Sequence, residues 1–453
     1  MGYRRAFFAV VLCGAASGLA AADPGPAAVV TPPADEADVA LSAFPGRIEA
    51  TRSVAVNPAN PLRAVAAVDV GGRCRILSSG DGGRTWPTAV LLPTKRPGQA
   101  CIDPVVAYAP HGGRAYAAYK GGSERGLLFS VSTDNGATWS APGTIQPPPD
   151  RLIGGGRAQL FGQKLATPLT AADGRFVYLA TYAYVGESFF GLIFTRSQDR
   201  GQTWSPWRAV AILSVFYPPY NQGMGVAGGP GGSVLVAWDE SLDPSDPTAA
   251  RLRIRLARSA DFGTSFAPSV TVARELLFGG GRPDVKLGAD GAAHIVYART
   301  RARIGDEDDL DIRYVTSTGA PYASWSPPLT LNHGGIGTVQ SDPLLAVEPC
   351  GAASILHVAW TDGRRGADLR DIFHVRRLVQ AGEPWSADLR LSDPTPPAVL
   401  PGEPWLPESW STRNSALAAG PGTIVAAWTD RRDGTAPDTD AFASPVRSGI
   451  TCP

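Results

Sequence analysis

The sequence predicts an all-β fold, a seven-bladed β-propeller whose blades are four-stranded antiparallel sheets. A short motif that ends in an aromatic residue recurs along the 453 residues at intervals of 53 to 65, which is the length of a four-stranded blade with its loops. Short β-rich runs bounded by Gly, Pro and Asp precede each copy, as expected of strand pairs. The 52 Gly and 41 Pro suit the tight turns between about 28 strands.

The motif has the pattern S-x-D-x-G-x-[TS]-[WF], which favours a tight turn. Its Asp accepts hydrogen bonds from turn amides, its Gly supplies a positive φ, and its aromatic residue packs into the blade. A carboxylate occupied in this way is not free to act as an acid or a base. Two weaker copies end at Trp325 and Trp385, and the four complete copies predict a structural role for Asp81, Asp134, Asp199 and Asp261.

The four copies resemble the Asp box, or BNR repeat, of the sialidase-like (neuraminidase superfamily) β-propellers. The resemblance covers nearly the whole chain after its first 22 residues. It implies that the motif turns lie on one face of a ring and that ligands bind on the opposite face, around a central channel. Because true sialidases have six blades, a six-bladed sialidase-type ring is the alternative to seven.

The count of seven depends on how the ring closes. A seventh unit begins at Ser415, and the chain ends at Pro453 before this unit gains a fourth strand. The run Asp38–Ser42 near the start matches a fourth strand and can complete that blade. Such closure pairs an exposed edge and joins the two ends of the chain. One propeller domain over 38–453 is therefore expected, in place of the three domains that length alone suggests.

The first 22 residues have the features of an export signal. Arg4 and Arg5 precede an apolar run, and Ala20-Ala21-Ala22 forms an A-x-A cleavage site. A Pro/Ala-rich linker over 23–37 follows. We expect an exported protein, secreted or periplasmic, with no membrane span. Anchoring through Cys13 is not expected, because the preceding residues fit a lipobox poorly.

Four cysteines remain after the leader, and an exported chain can retain disulfides. No C-x-x-C spacing occurs, so a zinc site is disfavoured, and three connectivities are open. The expected blade register favours Cys74 with Cys101 and Cys350 with Cys452, each pair linking neighbouring blades. The second disulfide would hold the C-terminus in place.

Charge and composition exclude several partners. Lys plus Arg and Asp plus Glu are 41 each, so no net field attracts nucleic acid. No cofactor is predicted, and a monomer is expected. Asp306, Asp308 and Asp309 are weak calcium candidates. A solvated loop is favoured for this run, because it lacks the spaced ligands and turn glycine of a calcium loop.

The face opposite the motif turns collects polar residues from the loops that enter the first strands and join the second and third strands. These include Asp103, Lys164, Asp239, Glu240, Arg282, Asp284, Asp342, Asp362 and Asp430. Residues that recur at equivalent positions, such as the Asp after Trp238, Trp360 and Trp428, are better explained as scaffold. A reaction needs its groups once, whereas a pseudo-symmetric ring needs scaffold groups in every blade.

Residues that break the repeat suggest carbohydrate binding. Aromatic rings cover the apolar faces of sugars, and Arg or Asn bonds hydroxyls or carboxylates. The alternative is a purely structural role for these residues. Pro-rich loops can pack their aromatic residues against the rim of the ring, and Asp–Arg pairs can brace loops. The ligand-binding candidates are Tyr217, Tyr220, Asn221, Arg299, Arg301, Arg364, Trp410, Arg413 and Arg432.

Catalytic members of the family place three arginines on the substrate carboxylate, the first in an F/Y-R-I-P motif, and use a Tyr-Glu nucleophile pair with an Asp acid/base. This sequence offers Phe44-Pro-Gly-Arg47-Ile48, which departs from that motif, and its last tyrosines are Tyr314 and Tyr322. No late-blade tyrosine is therefore expected to reach the channel. The catalytic residue is unknown, with Glu240, Asp103 and Asp342 as candidates for a two-carboxylate mechanism.

Two functions fit these observations. One is a non-catalytic propeller that binds a glycan or a glycosylated partner. The other is an exo-acting glycoside hydrolase of sialidase type, an exo-alpha-sialidase. The missing motif and tyrosine favour the binding protein, and fold-level analogy alone adds little to either.

Overall fold

The computed structural model describes residues 37–42, 49–122, 124–153, 158–185, 189–213, 223–241, 251–276, 281–300, 310–335, 338–364, 371–379, 383–392, 415–430, 440–446 and 450. The predicted leader and nearly all of the predicted linker lie outside these ranges. The described residues form seven four-stranded antiparallel sheets arranged as blades. Seven blades are therefore confirmed, and the six-bladed alternative is wrong.

The strands follow the chain around the ring, and blades 1 to 6 are each hydrogen-bonded in sequence order from the inner first strand to the outer fourth strand. The first strand of the chain is β1 (Val39–Ser42). Blade 1 contains β2 (Glu49–Val56), β3 (Ala64–Val70), β4 (Cys74–Ser79) and β5 (Thr88–Leu91). Blade 2 contains β6 (Cys101–Tyr108), β7 (Ala115–Gly121), β8 (Leu127–Ser132) and β9 (Gly143–Ile145). Blade 3 contains β10 (Gln159–Ala166), β11 (Val177–Val185), β12 (Phe189–Ser197) and β13 (Arg208–Leu213).

The second half of the ring has the same plan. Blade 4 contains β14 (Met224–Gly228), β15 (Val234–Ser241), β16 (Arg251–Ser259) and β17 (Val270–Leu276). Blade 5 contains β18 (Asp284–Leu287), β19 (Ala293–Thr300), β20 (Leu310–Ser317) and β21 (Leu329–Thr330). Blade 6 contains β22 (Gln340–Cys350), β23 (Ala353–Asp362), β24 (Asp371–Leu378) and β25 (Leu389–Arg390). Blade 7 contains β26 (Ser415–Gly420), β27 (Thr423–Asp430) and β28 (Asp440–Val446), and short 3-10 turns lie at Asp150–Leu152, Ala171–Asp173 and Pro230–Gly232.

The N-terminal strand closes the ring as predicted. β1 pairs antiparallel with β28, with Val39 opposite Ala443, and supplies the outer strand of blade 7. The closure joins the two ends of the chain in one sheet and covers an edge that would otherwise be exposed.

The core consists of apolar layers between neighbouring blades. One such layer joins Leu235 and Ile254 of blade 4 to Val285 and Ile295 of blade 5, and all four side chains are fully buried. Each blade thus buries both of its faces against its neighbours, which explains why the second strands are nearly continuous runs of apolar residues.

The four complete motif copies form the turns between third and fourth strands. In blade 4, Ser259 Oγ donates to Asp261 Oδ1 at 2.6 Å, Ser265 N donates to the same oxygen at 2.9 Å, and Gly263 N donates to Ser259 Oγ at 2.8 Å. Burial raises the pKa of Asp261, but the hydrogen bonds from Ser259 and Ser265 outweigh it and hold the pKa at about 2. The same serine-to-aspartate bond occurs at Asp81, Asp134 and Asp199.

The motif glycine also meets the preceding blade, a role that the sequence motif does not reveal. Gly263 has a φ of 79°, and a Cβ there would lie 2.5 Å from the ring of Phe194 in blade 3. A Cβ at Gly83 would lie 2.9 Å from Val425 of blade 7. These glycines therefore allow both the turn and the close packing of adjacent blades.

The predicted disulfide between Cys74 and Cys101 is present, with the two Cα atoms 5.3 Å apart. It links the start of β4 in blade 1 to the start of β6 in blade 2. Cys350 is also disulfide-bonded, and its predicted partner Cys452 lies outside the described residues. Within the described part of the chain, no helix has the length and hydropathy needed to cross a membrane.

Candidate ligand-binding site

The first strands of the seven blades surround a central channel with a cavity volume of about 470 Å³. Its walls are mainly Val, Ala and Leu side chains, such as Val54, Val226 and Leu417. A concave, mostly apolar cavity of this volume is typical of small-molecule sites.

One level of this wall repeats around the ring. At this level each blade contributes one residue of its first strand, and these residues occupy equivalent positions. The residue pairs with Val65 of the second strand in blade 1, with Leu235 in blade 4 and with Val425 in blade 7. Six blades place an alanine there and blade 5 places Lys286, which lies opposite His294. All seven residues line the cavity. We call this level the alanine ring, made of Ala55, Ala107, Ala166, Ala227, Lys286, Ala346 and Ala418.

Lys286 forms an ion pair inside the channel. Its Nζ lies 2.8 Å from Asp284 Oδ1, and the backbone amide of Leu345 donates to Asp284 Oδ2 at 3.0 Å. Asp284 therefore ties the lysine of blade 5 to the first strand of blade 6. Lys164 of blade 3 and Arg52 of blade 1 also line the cavity, so three cationic side chains accompany one carboxylate among its lining residues.

Arg–Asp pairs cross two blade seams near the start of the first strands. Arg52 Nη2 lies 3.7 Å from Asp103 Oδ1, which joins blades 1 and 2. Arg282 pairs with Asp342 and joins blades 5 and 6. Asp103 and Asp342 have positive φ angles of 52° and 54°, each precedes a proline, and each lies where the pairing register of its strand shifts. Such bulges redirect side chains, here toward the neighbouring blade.

The third catalytic candidate, Glu240, lies away from the cavity lining. It is on β15 opposite Arg253, and its Oε2 lies 3.0 Å from Arg253 Nε and 3.3 Å from Arg255 Nε. Two guanidinium groups of the same blade therefore engage this carboxylate.

Two candidate ligand arginines also brace the scaffold. Arg364 Nη2 lies 2.6 Å from Asp362 and 2.7 Å from Asp388, and its guanidinium lies 4.0 Å from the ring centre of Phe373. Burial lowers the pKa of Arg364, but the two carboxylates outweigh it and raise the pKa above its ordinary value.

Arg299 pairs with Glu275 at 3.5 Å and with Asp311 at 3.3 Å, so it links blade 5 to the outer strand of blade 4. The remaining candidates lie outside the described residues: Tyr217, Tyr220, Asn221, Arg301, Asp306, Asp308, Asp309, Trp410, Arg413 and Arg432. Within the described ranges, no group of three or more His, Cys, Asp or Glu is arranged to hold a metal ion.

Asp239 is a buried carboxyl group near the end of β15. It lies on the side of the ring where the first strands begin, which we call the channel mouth. Its oxygens accept hydrogen bonds from Gly223 N at 3.2 Å and Gly281 N at 2.9 Å, just before β14 and β18. Burial raises the pKa of Asp239 to about 6, although these amides and Arg282 oppose the shift. The carboxyl group therefore anchors two chain segments at the mouth, a scaffold role that its recurrence after Trp predicted.

The sequence interpretation overlooked Arg52 and Lys286, while Lys164 and Asp284 were expected on this face. A signal for Lys286 exists in the sequence. When the first strands are aligned by the residues that follow them, alanine occupies the same position in six units and lysine in one. The strand that carries Lys286 has only four residues, Asp284–Leu287, so it gives a weak pattern in the sequence.

No protein-family model matches this sequence, and no curated protein matches it. Among solved structures, the chain is similar to an α-L-arabinanase of Penicillium chrysogenum with 14% identity, a TM-score of 0.47, and coverage of 91% of this chain and 98% of that one. It is similar to the GH93 α-L-arabinofuranosidase of Fusarium graminearum with 13% identity, a TM-score of 0.46, and coverage of 91% and 97%. A Hadza microbial sialidase shares 13% identity, with a TM-score of 0.46 and coverage of 86% and 75%.

The architecture of the chain itself defines its class. Seven four-stranded blades surround the channel, and the serine–aspartate turns join third to fourth strands. The fold is a seven-bladed β-propeller.

Proposed function

We propose that this protein is an exported propeller that binds a glycan, or a glycosylated partner, in its central channel. The sequence led us to expect the face opposite the motif turns, but the cavity extends past the ends of the first strands to Pro58, Pro110 and Pro230, on the side of the motif turns. The observation that carries the proposal is the cavity of about 470 Å³, whose apolar walls carry a few charged groups. Apolar walls with sparse polar groups suit a sugar, because they cover its C–H faces and orient its hydroxyls. In this proposal the four motif turns are Asp boxes with a structural role.

The distribution of carboxylates favours binding over hydrolysis. A two-carboxylate glycosidase needs a pair of acidic groups on either side of the scissile bond. Asp284 is the single carboxylate among the described residues that line the cavity, and Lys286 engages it. Asp103, Asp342 and Glu240 are each in ion pairs with arginines.

Export is part of the same proposal. The leader-like first 22 residues support it, and so does the disulfide between Cys74 and Cys101, since disulfides persist in oxidising compartments.

A glycan array and a panel of sialosides and aryl-glycosides test the proposal on the purified protein. We expect binding on the array without turnover on the panel. Ala166→Phe should abolish binding, because Ala166 is half-buried and lines the cavity that the ring would fill. Ala141→Phe is the matched control, since Ala141 is exposed in the loop after Trp139.

Two results would contradict the proposal. Turnover that Glu240→Gln abolishes would establish the sialidase-type hydrolase instead. Binding that survives Ala166→Phe, in a variant with an unchanged thermal unfolding midpoint, would place the ligand outside the channel. Tyr220→Ala would then test the loop that precedes Gly223.

A further inference from the structure

The end of the channel on the side of the motif turns is a collar of apolar residues. Three positions after the alanine ring, where the inner strands end, four blades place a proline, blade 3 a leucine and blade 5 an alanine, and all six residues line the cavity. At about 3.3 Å per residue, they lie up to about 10 Å beyond the alanine ring. We call these residues the proline collar: Pro58, Pro110, Leu169, Pro230, Ala289 and Pro349.

The proline collar offers a ligand more apolar contact than hydrogen bonding. Proline has no N–H donor, and the lining hydroxyls at this level are bonded within the protein. Thr167 Oγ1 donates to the carbonyl oxygen of Tyr108 at 2.7 Å, and the backbone amide of Ala289 donates to Ser354 Oγ at 2.9 Å. The hydroxyls of Tyr108 and Thr170 donate to other protein oxygens. Sugar hydroxyls placed here would have to replace these bonds, whereas an apolar group would not.

Leu169 is the residue that breaks the pattern of the collar. A proline that recurs at the ends of inner strands is explained by the scaffold, because its missing N–H suits the end of a strand. The leucine of blade 3 has no such explanation, and its side chain is 47% exposed although it lines the cavity. Pro230, Ala289 and Pro349 are exposed as well. Exposed apolar side chains grouped around a cavity are typical of a ligand-binding site.

The charged groups that line the cavity lie away from the collar, and ion pairs engage them. Lys286 of the alanine ring lies 2.8 Å from Asp284, two positions earlier in the same strand, and Arg52 lies 3.7 Å from Asp103. A charged ligand would compete with these pairs, whereas a neutral sugar can exchange hydrogen bonds with them. The cavity therefore has a polar level around the alanine ring and an apolar level at the proline collar.

We propose that the proline collar binds an aliphatic chain, so that the ligand of the channel is a neutral glycan with an alkyl aglycone. The sugar lies at the level of the alanine ring, and the chain passes through the collar toward the side of the motif turns. This inference rests on the proposed glycan-binding function for the sugar and adds the class of aglycone. An aliphatic chain fits better than an aromatic ring, because Tyr108 is the single aromatic residue among the described lining residues and its side chain is buried.

Calorimetric titration of the full protein with methyl, hexyl, octyl and phenyl β-D-glucosides below their micelle concentrations tests the collar. All four probes carry the same sugar, so differences in affinity report on the aglycone. Each buried methylene contributes about fourfold in affinity. We expect octyl glucoside to bind at least about 50-fold more tightly than methyl glucoside, since part of its chain remains in water. Hexyl glucoside should lie between them, and phenyl glucoside should bind more weakly than octyl glucoside.

Two exposed collar positions allow substitutions that should leave folding intact. Leu169→Ser should weaken octyl glucoside by at least about fivefold, because it removes the largest apolar side chain of the collar, and should leave methyl glucoside unchanged. Ala289→Glu places a charge at the collar and should have the same effect. Ile212→Ser is the matched control in the same blade: Ile212 is 71% exposed on the outer strand β13, away from the cavity lining. Its octyl affinity should equal that of the native protein.

The outcomes separate the two proposals. Equal affinities for methyl and octyl glucoside overturn the collar site and leave glycan binding intact. Octyl binding by a protein that binds nothing on the glycan array supports the chain site and overturns the proposed function. An octyl preference that persists in folded Leu169→Ser and Ala289→Glu overturns the collar as its location, and so does an equal loss in Ile212→Ser. Tighter binding of phenyl than of octyl glucoside overturns the aliphatic assignment. A dimer in light scattering that Leu169→Ser dissociates makes a second copy of the chain the occupant and overturns the inference.

Discussion

Arg282 of blade 5 forms an ion pair with Asp342 of blade 6, and both residues have a positive φ, 42° and 54°. A similar ion pair, between Arg52 and Asp103, joins the neighbouring blades 1 and 2. Non-glycine residues adopt such backbone angles at a cost of about 1 kcal/mol or more. The ion pair offsets this cost and holds neighbouring first strands together at the mouth.

Breaking this seam should destabilise the protein. Asp342→Asn should lower the free energy of unfolding by about 2 kcal/mol, because it leaves a mostly buried guanidinium without its charged partner. Urea denaturation measures the change. The control is Glu124→Gln, whose partner Lys95 is exposed and whose loss should cost less than about 1 kcal/mol. Equal losses in the two variants would show that the Arg282–Asp342 pair stabilises the protein no more than an exposed ion pair does.

The motif glycines should be more sensitive to substitution than their φ angles alone imply. Gly263 and Gly291 share a φ of 79°, but a Cβ at Gly263 meets the Phe194 ring at 2.5 Å and one at Gly291 meets nothing within 4 Å. Gly291→Ala should therefore cost about 1 kcal/mol from backbone strain, and Gly263→Ala about 3 kcal/mol through added overpacking. Thermal unfolding of the two variants isolates the inter-blade contact. Similar losses would show that the turn conformation alone requires glycine.

Glu240 should support stability rather than ligand binding. Glu240→Gln removes the charge that faces Arg253 and Arg255, and we expect a loss of about 1 kcal/mol. Glycan affinity should be unchanged, because Glu240 does not line the cavity. Titration of the variant with the array-selected oligosaccharide checks this. A loss of affinity at unchanged stability would move Glu240 into the site.

Two histidines should make the protein sensitive to acid. His357 Nδ1 lies 3.0 Å from His374 Nε2, and His357 Nε2 lies 3.0 Å from Glu348 Oε2, all fully buried in blade 6. Burial lowers the pKa of both rings, most strongly that of His374. Glu348 opposes the shift of His357, whereas Arg376 reinforces it for both rings.

Because the folded pKa values are depressed, the unfolded chain binds more protons below about pH 6.5. Stability should be full above that pH and fall toward pH 5, by up to about 1.4 kcal/mol per pH unit for each histidine. Urea denaturation at pH 7 and pH 5 measures this loss of stability. In His374→Gln the difference in the free energy of unfolding between the two pH values should be smaller by the contribution of one histidine. His294, with a pKa lowered to about 4 by burial, retains its own share. His111→Gln is the exposed control, and full pH dependence in His374→Gln would assign the effect elsewhere.

Much of the fold was predictable because the repeat exposes it. The spaced Trp residues and the S-x-D-x-G turns predicted four-stranded blades, and a last unit one strand short predicted closure by the segment at Val39. Cys74 with Cys101 followed from the same register. These are features of local pattern and of counting, which a linear sequence carries.

The site was less predictable, because it depends on which side chains meet across blades. Glu240 was a catalytic candidate on its position alone, and its engagement by Arg253 and Arg255 depends on the pairing of β15 with β16. Arg364 matched both a ligand-binding and a bracing interpretation, and its contacts with Asp362 and Asp388 correspond to bracing.

The sequence by itself predicted the architecture: the strand runs, the turn motifs and a last unit one strand short favour a closed ring of seven sheets over six, and the structure has seven. Only the tertiary structure decided what faces the channel. Residues such as Lys164 and Lys286, about 120 positions apart, line one cavity because each lies on the inner strand of a different blade. The physical reason is that a local pattern sets the face and level of a side chain within its blade, whereas its partners are set by the packing of seven blades around a common axis.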